Sequence, residues 1–540
     1  MIIGDFEARD NLIRWLEEKH PRFESNLSLR DVPGLERGMI ASRKLSKGDT
    51  LLHIPASAML NPLTLLPSSS IPSHLFPQTT SSRAAPLPKK PRIANPPRKL
   101  DTTQLLTLHL ALTRDPKERY KSDWQVYIDS LPKSFRPWHP LTWTIPPSLS
   151  PNEPKEREAE GWEWWNNLYN VGISQSTKLK VQDVKQRFDK DYEVLLEVLK
   201  EEEPFKSQRL SEVIGKEDIL WAWLNVNTRS ISIPLGLPGP SERNNHTLVP
   251  IMDFINHSSN ESIITPRVRQ LPTPSSSRIR KPSMTTTTSN GTGPLPSPPL
   301  TSKTNGQSNG VGSIKQNAVL LPNKIDFQLN CPDRGLEENE EVFFEYGGHS
   351  SSTLFAEYGF CEKKDGEDHQ DGVQDSWLDM KYGEVDLTSY IDELWKEQDQ
   401  EDREEKKQVL EDIGCWGGNT LHSQPSPSHP SHSLLMTLRL IHLPASSPKL
   451  PNISKGLVTY VSPQNETSTL LTLEGICKKV IKEAKRREKV LAKMIKDVSQ
   501  GGSEDVEKAG VLGTLSAMCE EELVICSEVL GRLEKGEDFS

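Results

Sequence analysis

The sequence predicts an α+β protein of several parts, and three observations lead there. Short β-type runs flank a long helical stretch: Gly38–Ala41 and Thr50–Ile54 before it, and 247–252, 318–321, 325–329 and 341–344 after it. Between them, from about 103 to 224, apolar residues recur at the spacing that gathers them on one helix face. From about 376 onward the pattern is helical again.

The elements follow in order. A helix is expected over 8–20, with Leu12, Trp15 and Leu16 on one face and Pro21 ending it. It opens a first unit, 1–61, in which Pro55 closes the Thr50–Ile54 run. Residues 62–102 are rich in Pro and Ser and read as a disordered loop. Lys89, Lys90 and Arg92 inside it read first as a solvated linker and second as a nuclear import signal.

A helical insertion is expected over 103–224. Leu105, Leu108 and Leu112 share one face, and Val184, Phe188, Leu195 and Leu199 share the face of a longer helix. The run from Trp124 to Pro132 reads as aromatic core packing. A third unit, 225–365, opens its β part with a buried strand over 247–252 and holds a low-complexity insert at 261–316. That insert cannot bury enough apolar area to offset its ordering entropy. Residues 376–540 are expected to form an all-helical C-terminal domain, with helices near 434–440, 473–498 and 512–533.

Bulk properties narrow the function. The 540 residues suffice for two or three domains. An apolar share of 34% with 42 prolines means that part of the chain stays unpacked. The net charge of −10 argues against nucleic acid as the main ligand and suits a basic partner. Six cysteines without a C-x-x-C pair argue against a disulfide framework or a structural zinc site, and reduced thiols fit an intracellular protein. The first residues lack a secretory pattern, and no run of 18 apolar residues offers a membrane span. A monomer in the cytoplasm and/or nucleus is expected.

Two segments carry the chemistry. One is Asp253-Phe254-Ile255-Asn256-His257-Ser258; the other is Glu345-Tyr346-Gly347, followed by Tyr358-Gly359-Phe360. With Gly38-Met39-Ile40-Ala41 and Thr228-Arg229, this set resembles the SET-domain protein methyltransferases. The resemblance is to the subfamily of Rubisco large-subunit and ribosomal-protein lysine methyltransferases. It implies a SET fold of short β-sheets threaded as a pseudoknot, a helical insertion and a helical substrate-binding domain.

The resemblance also implies roles. S-adenosylmethionine (AdoMet) would be the cofactor, with Glu36, Arg37 and Gly38 in a loop against its methionine part. This chain has Glu36-Arg37-Gly38 where the family often has G-x-G. Arg229 would pair with the AdoMet carboxylate through its two-pronged guanidinium. Asn256 would bind the amino group, the His257 backbone would pair with adenine, and Asp253 would be mainly structural. Tyr346 would be the catalytic residue, its hydroxyl aimed at the transfer point, and it also counts among the cofactor contacts. Ile231, Tyr358 and Phe360 would line the substrate channel.

Methyl transfer is an in-line displacement that needs positioning and oriented dipoles. The acceptor amine must be neutral, and an apolar channel beside a sulfonium lowers a lysine pKa from about 10.4 by desolvation and like charge. A related histidine methyltransferase has Asn where this chain has Ile231, and Ile cannot hold an imidazole, so lysine is favoured. His257 has no second histidine at ligand spacing, so no metal is expected. The expected activity is lysine methylation of a non-histone protein, ribosomal proteins among the candidates. A histidine methyltransferase and a catalytically silent SET interaction module are the alternatives.

Overall fold

Among the described residues of a computed structural model, thirteen short strands alternate with helices. It describes residues 6–30, 38–77, 98–115, 120–147, 155–237, 245–259, 267–270, 325–362, 380–444, 446–498, 504–537 and 539. Glu36, Arg37, the basic cluster at 89–92 and the run 318–321 lie outside them.

The strands are β1 (Glu24–Ser25), β2 (Leu27–Arg30), β3 (Gly38–Ala41), β4 (Thr50–Ile54), β5 (Ile231–Ser232), β6 (His246–Thr247), β7 (Asn256–His257), β8 (Arg267–Gln270), β9 (Ile325–Asn330), β10 (Phe343–Phe344), β11 (Glu384–Asp386), β12 (Thr420–His422) and β13 (His429–Pro430). An antiparallel sheet runs β1-β4-β9-β8, and β2 pairs β3. Asp326 ties β9 to the N-terminal part from a fully buried position. It takes Arg22 Nη1 at 2.7 Å, His53 Nε2 at 3.0 Å and the Ala56 N–H at 2.9 Å.

The helical insertion forms as its periodicity predicts. Helix Gln175–Glu201 starts where the Ser174 hydroxyl accepts the Thr177 N–H, an N-cap. It buries Val181, Val184, Phe188, Leu195, Val198 and Leu199 along one stripe. Each such side chain contributes about 1.5–3 kcal/mol by leaving water. These residues share one core with β3, β4, β9, β10 and the turn residues Phe254 and Ile255 that lead into β7.

Three expectations need correction. The run 247–252 is not one strand: β6 ends at Thr247, and a 3₁₀ turn occupies Met252–Phe254. Ile251 there takes a positive φ of 70°, unusual for a β-branched residue, as the chain turns into β7. The insert 261–316 is not wholly irregular, since β8 lies within it and pairs β9. The four residues of β8, Arg-Val-Arg-Gln, hold a single apolar side chain, too few to raise a period-2 signal. The C-terminal unit is not all-helical, because β11-β12-β13 form an antiparallel sheet of two- and three-residue strands.

That unit has its own core, running from Val385 to Val529. Helices Pro463–Val498 and Glu504–Glu534 also pack Leu491, Val498, Val511, Leu512 and Leu515 into the first core. The two parts therefore share a wall. No helix among the described residues is long and apolar enough to cross a membrane. All six cysteines are buried and unpaired with one another by disulfide.

Candidate active site

β7 and β10 lie side by side in parallel, with Phe343 opposite Asn256 and Phe344 opposite His257. Two residues past β10, Tyr346 folds back over β7. Its backbone N–H donates to His257 Nδ1 at 3.0 Å, and its hydroxyl donates to the Ile255 carbonyl at 2.7 Å. Both ends of the residue are thereby fixed. Burial raises the Tyr346 phenol well above the ordinary tyrosine range, with Arg229 opposing, so the hydroxyl stays protonated at neutral pH.

The bond from Tyr346 also sets the tautomer of His257. Nδ1 accepts, so the proton of the neutral ring sits on Nε2, 3.6 Å from the Glu362 carboxylate. Burial lowers the His257 pKa, with Glu362 opposing. Glu362 also accepts the Ser259 N–H and hydroxyl. Among the described residues no group of three His, Cys, Asp or Glu side chains is arranged to hold a metal.

Asp253 and Arg229 meet beneath β7. Arg229 ends helix Lys216–Arg229, and its Nη1 donates to both the Asp253 carbonyl and Oδ2 at 3.1 Å. The two side chains are 1% and 0% exposed. The Tyr127 hydroxyl donates to the same Oδ2 at 3.0 Å. Burial raises the Asp253 carboxyl, with Arg229 and Tyr127 opposing.

Only Nη1 of Arg229 is engaged in this way; among the described residues its buried Nε and Nη2 have no hydrogen-bond partner. In this structure its guanidinium braces the turn that delivers Asn256. The Trp124–Pro132 run packs in the core as expected, with Trp124, Tyr127, Ile128 and Leu131 buried, and its polar tips add two hydrogen bonds. Tyr127 buttresses the turn, and the Trp124 indole N–H bonds the Ala58 carbonyl at 3.0 Å.

Gly38 and Asn256 come together at the opposite edge. Asn256 Nδ2 donates to Glu341 Oε1 at 3.1 Å. A Cβ placed on Gly38 would stand 1.9 Å from that carboxylate oxygen and 3.1 Å from Asn256 Nδ2. Glycine at 38 keeps this notch open. Val342 N–H bonds Met39 O at 2.8 Å, and a bridge joins Ile40 to Glu341, so β3 and the approach to β10 fix the notch from both sides. Sequence reasoning missed Glu341. A pair of acids before an apolar strand looks like an ordinary polar strand start.

The aromatic residues gather on the other side of Tyr346. Its ring centroid lies 5.3 Å from Tyr358 and 6.1 Å from Phe360, and Tyr358 lies 6.1 Å from Phe360. All three are half-buried. Tyr358 ends helix Ser351–Tyr358, and Gly359 caps it at φ +84°. A Cβ there would meet the Trp138 carbonyl oxygen at 2.8 Å. His139 Nε2 lies 2.9 Å from the Glu357 carbonyl, while its Nδ1 accepts the Leu141 N–H. Burial pushes the His139 pKa down to about 4, so it works as a neutral clamp on the last turn before Tyr358. Ile231 is buried on β5, opposite Thr247.

No protein-family model matches the chain. SET domain-containing protein 4 of Homo sapiens is 21% identical over 487 residues, covering 87% of this chain and 80% of that protein. The protein of the same name from Mus musculus is 23% identical over 524 residues, covering 95% and 89%. The crystal structure of the SET domain of LSMT bound to lysine and AdoHcy superposes with a TM-score of 0.52 at 17% identity, covering 98% of this chain and 91% of that one. The same domain bound to MeLysine and AdoHcy gives 0.51 at 16%, covering 98% and 92%. Motif order, strand pairing and these likenesses show that this chain has the SET fold, with the architecture of the LSMT type.

Proposed function

We propose that this protein is an AdoMet-dependent protein-lysine N-methyltransferase acting on a non-histone protein, ribosomal proteins among the candidates. One observation carries the reading. The parallel pairing of β7 with β10 locks Tyr346 over the Asn256–His257 segment, between a polar notch and an aromatic cluster. The likeness to a domain crystallised with lysine and AdoHcy supports the same chemistry.

The residues fit the cofactor. At the Gly38 notch, a carboxylate and an amide stand where a Cβ would otherwise fill the space. Glu341 and Asn256 suit the ammonium group at the amino-acid end of AdoMet by charge and hydrogen bonding. When bound, AdoMet supplies an electrophilic methyl group on a sulfonium.

The chain's own groups do the rest. Tyr346 keeps its proton and offers its hydroxyl oxygen as a fixed acceptor for weak C–H···O contacts. Tyr346, Tyr358 and Phe360 present ring faces and edges to a lysine side chain, removing its water and lowering its pKa. The ammonium proton then leaves to solvent, because a phenol held this far above its usual range is no base at neutral pH. Ile231, buried and apolar, gives no hydrogen bond to an imidazole.

The test uses labelled AdoMet and a lysate depleted of methylation. Label in a protein band with wild type, absent with Tyr346→Phe, supports the activity. Acid hydrolysis of that band should release methyl-lysine. Methyl-histidine would overturn the lysine assignment, and tight AdoMet binding without any label would make the protein a silent SET module.

A further inference from the structure

Helix Pro463–Val498 is divided cleanly between two environments. Ile476, Cys477, Val480, Ala484, Leu491 and Val498 face the protein interior. On the outer side Lys478, Lys482, Lys485, Lys489, Lys493 and Lys496 are exposed, at steps of three or four residues. That spacing places them in one continuous row. Exposed Lys479 and Arg486 flank the row. The exposed positions from 478 to 496 carry these eight cations, two acids and Ala492. One acid, Glu483, already accepts the Tyr390 hydroxyl at 2.7 Å. Of the eight cations, Lys478 is paired with Glu474, and the others have no ion pair or hydrogen bond among the described residues.

We infer that this face binds the phosphodiester backbone of a nucleic acid. Eighteen residues of helix span roughly 27 Å, so eight cations less two acids give one net charge per about 4.5 Å. A nucleic-acid strand in a duplex carries one phosphate charge per about 3.4 Å of axis. The two lines of charge are opposite in sign and comparable in density. An acidic protein partner fits less well. Protein interfaces centre on apolar or aromatic anchors and are depleted in Lys, and this face has no large apolar side chain between 478 and 496.

The chain's net charge of −10 does not contradict this, since eight cations segregated on one face act locally within a Debye length. The whole-chain balance only argues against nucleic acid as the main ligand, and this is a second surface. It carries backbone contacts without base reading. The inference stands apart from methyl transfer and survives its failure.

The test is fluorescence anisotropy with the full chain at about 50 mM and 200 mM salt, using 20-mers of mixed sequence. Single-stranded RNA, duplex RNA and duplex DNA form separate arms, with polyglutamate as the competing polyanion. Binding is expected at a Kd between about 1 and 100 µM at the lower salt, weakening at least tenfold at the higher. Lys482→Ala/Lys485→Ala/Lys489→Ala should weaken binding at least tenfold. It should also lower the slope of log Kd against log salt by about 2–3. Unchanged thermal melting and AdoMet binding would show that the variant is folded. The inference is overturned by the absence of binding to every nucleic acid, by a triple variant equal to wild type, or by preference for polyglutamate.

Discussion

The Tyr346 hydroxyl is bonded to the Ile255 carbonyl at 2.7 Å, so a residue just past β10 is anchored on the residue just before β7. The bond fixes where the phenol oxygen points. Tyr346→Phe keeps the ring and its contacts with Tyr358 and Phe360 but removes the oxygen. By analogy with the loss of one oriented polar group, kcat should fall about 10²–10³-fold. The Kd for AdoMet, read by calorimetry, should change only a few-fold. Because burial keeps the phenol protonated, the wild-type rate should rise with pH as the substrate lysine deprotonates, with no falling limb near pH 10 from tyrosine ionisation. A wild-type kcat in Tyr346→Phe would remove the residue from the chemistry.

Much of this was legible in the sequence, and its limits follow length and locality. Helices of 12 or more residues announced themselves, because three or four turns are enough to show a period; Thr102–Thr113 and Gln175–Glu201 are examples. Strands of two residues, such as β5, β6 and β7, cannot show an alternation at all. The site motifs were found by residue type, and the structure gathers Gly38, Asn256, His257, Tyr346, Tyr358 and Phe360 as neighbours. Long-range wiring stayed hidden. Nothing in the sequence links Tyr127 to Asp253, 126 positions apart, or His139 to Glu357, 218 apart. Such bonds depend on the packing of whole elements and leave no local signature.

Glu341 gives a sharper test of the cofactor notch. A hydrogen bond to a charged group contributes about 1.5–3 kcal/mol, against about 0.5–1.5 for a neutral one. Glu341→Gln should therefore weaken AdoMet about fivefold and still engage Asn256. Glu341→Leu should weaken it about 10–150-fold, with kcat at saturating AdoMet much less affected. An unchanged AdoMet affinity in Glu341→Leu would show that the carboxylate serves β3 and not the cofactor.

The buried Arg229–Asp253 pair predicts an ordering of stabilities. Asp253→Asn leaves a guanidinium without its counter-charge in a site closed to water, and should cost about 3–5 kcal/mol. Tyr127→Phe removes only one hydroxyl bond and should cost about 0.5–1.5 kcal/mol. Urea midpoints measured on both variants would check this. Equal costs would mean that Asp253 is already neutral in the folded protein.

Gly359 predicts a defect on the substrate side. Alanine would sit in the left-handed region, at about 1–2 kcal/mol, and press on the Trp138 carbonyl, a backbone atom that cannot swing aside. The strain falls between Tyr358 and Phe360. Gly359→Ala should raise KM for the protein substrate at least several-fold, with AdoMet affinity held within twofold. A matching loss of AdoMet affinity would mean that the displacement spreads across the whole site.

Glu521 predicts how stability depends on pH. It lies buried on helix Glu504–Glu534, where its carboxyl accepts the Glu384 N–H at 3.1 Å and the Ser351 hydroxyl at the start of the helix bearing Tyr358. Burial pushes its pKa up to about 8. In the unfolded chain it ionises near the ordinary value of about 4.3. Between those values the folded protein holds a proton that the unfolded chain has lost, so stability falls as pH rises. The contribution is complete below about pH 4.5 and gone above about pH 8. The slope approaches about 1.4 kcal/mol per pH unit within the window. Glu521→Gln keeps the shape without a titrating group, so its melting temperature should decline less than wild type between pH 5 and 8. Parallel melting curves for the two proteins across that range would mean that Glu521 is ionised in the folded state.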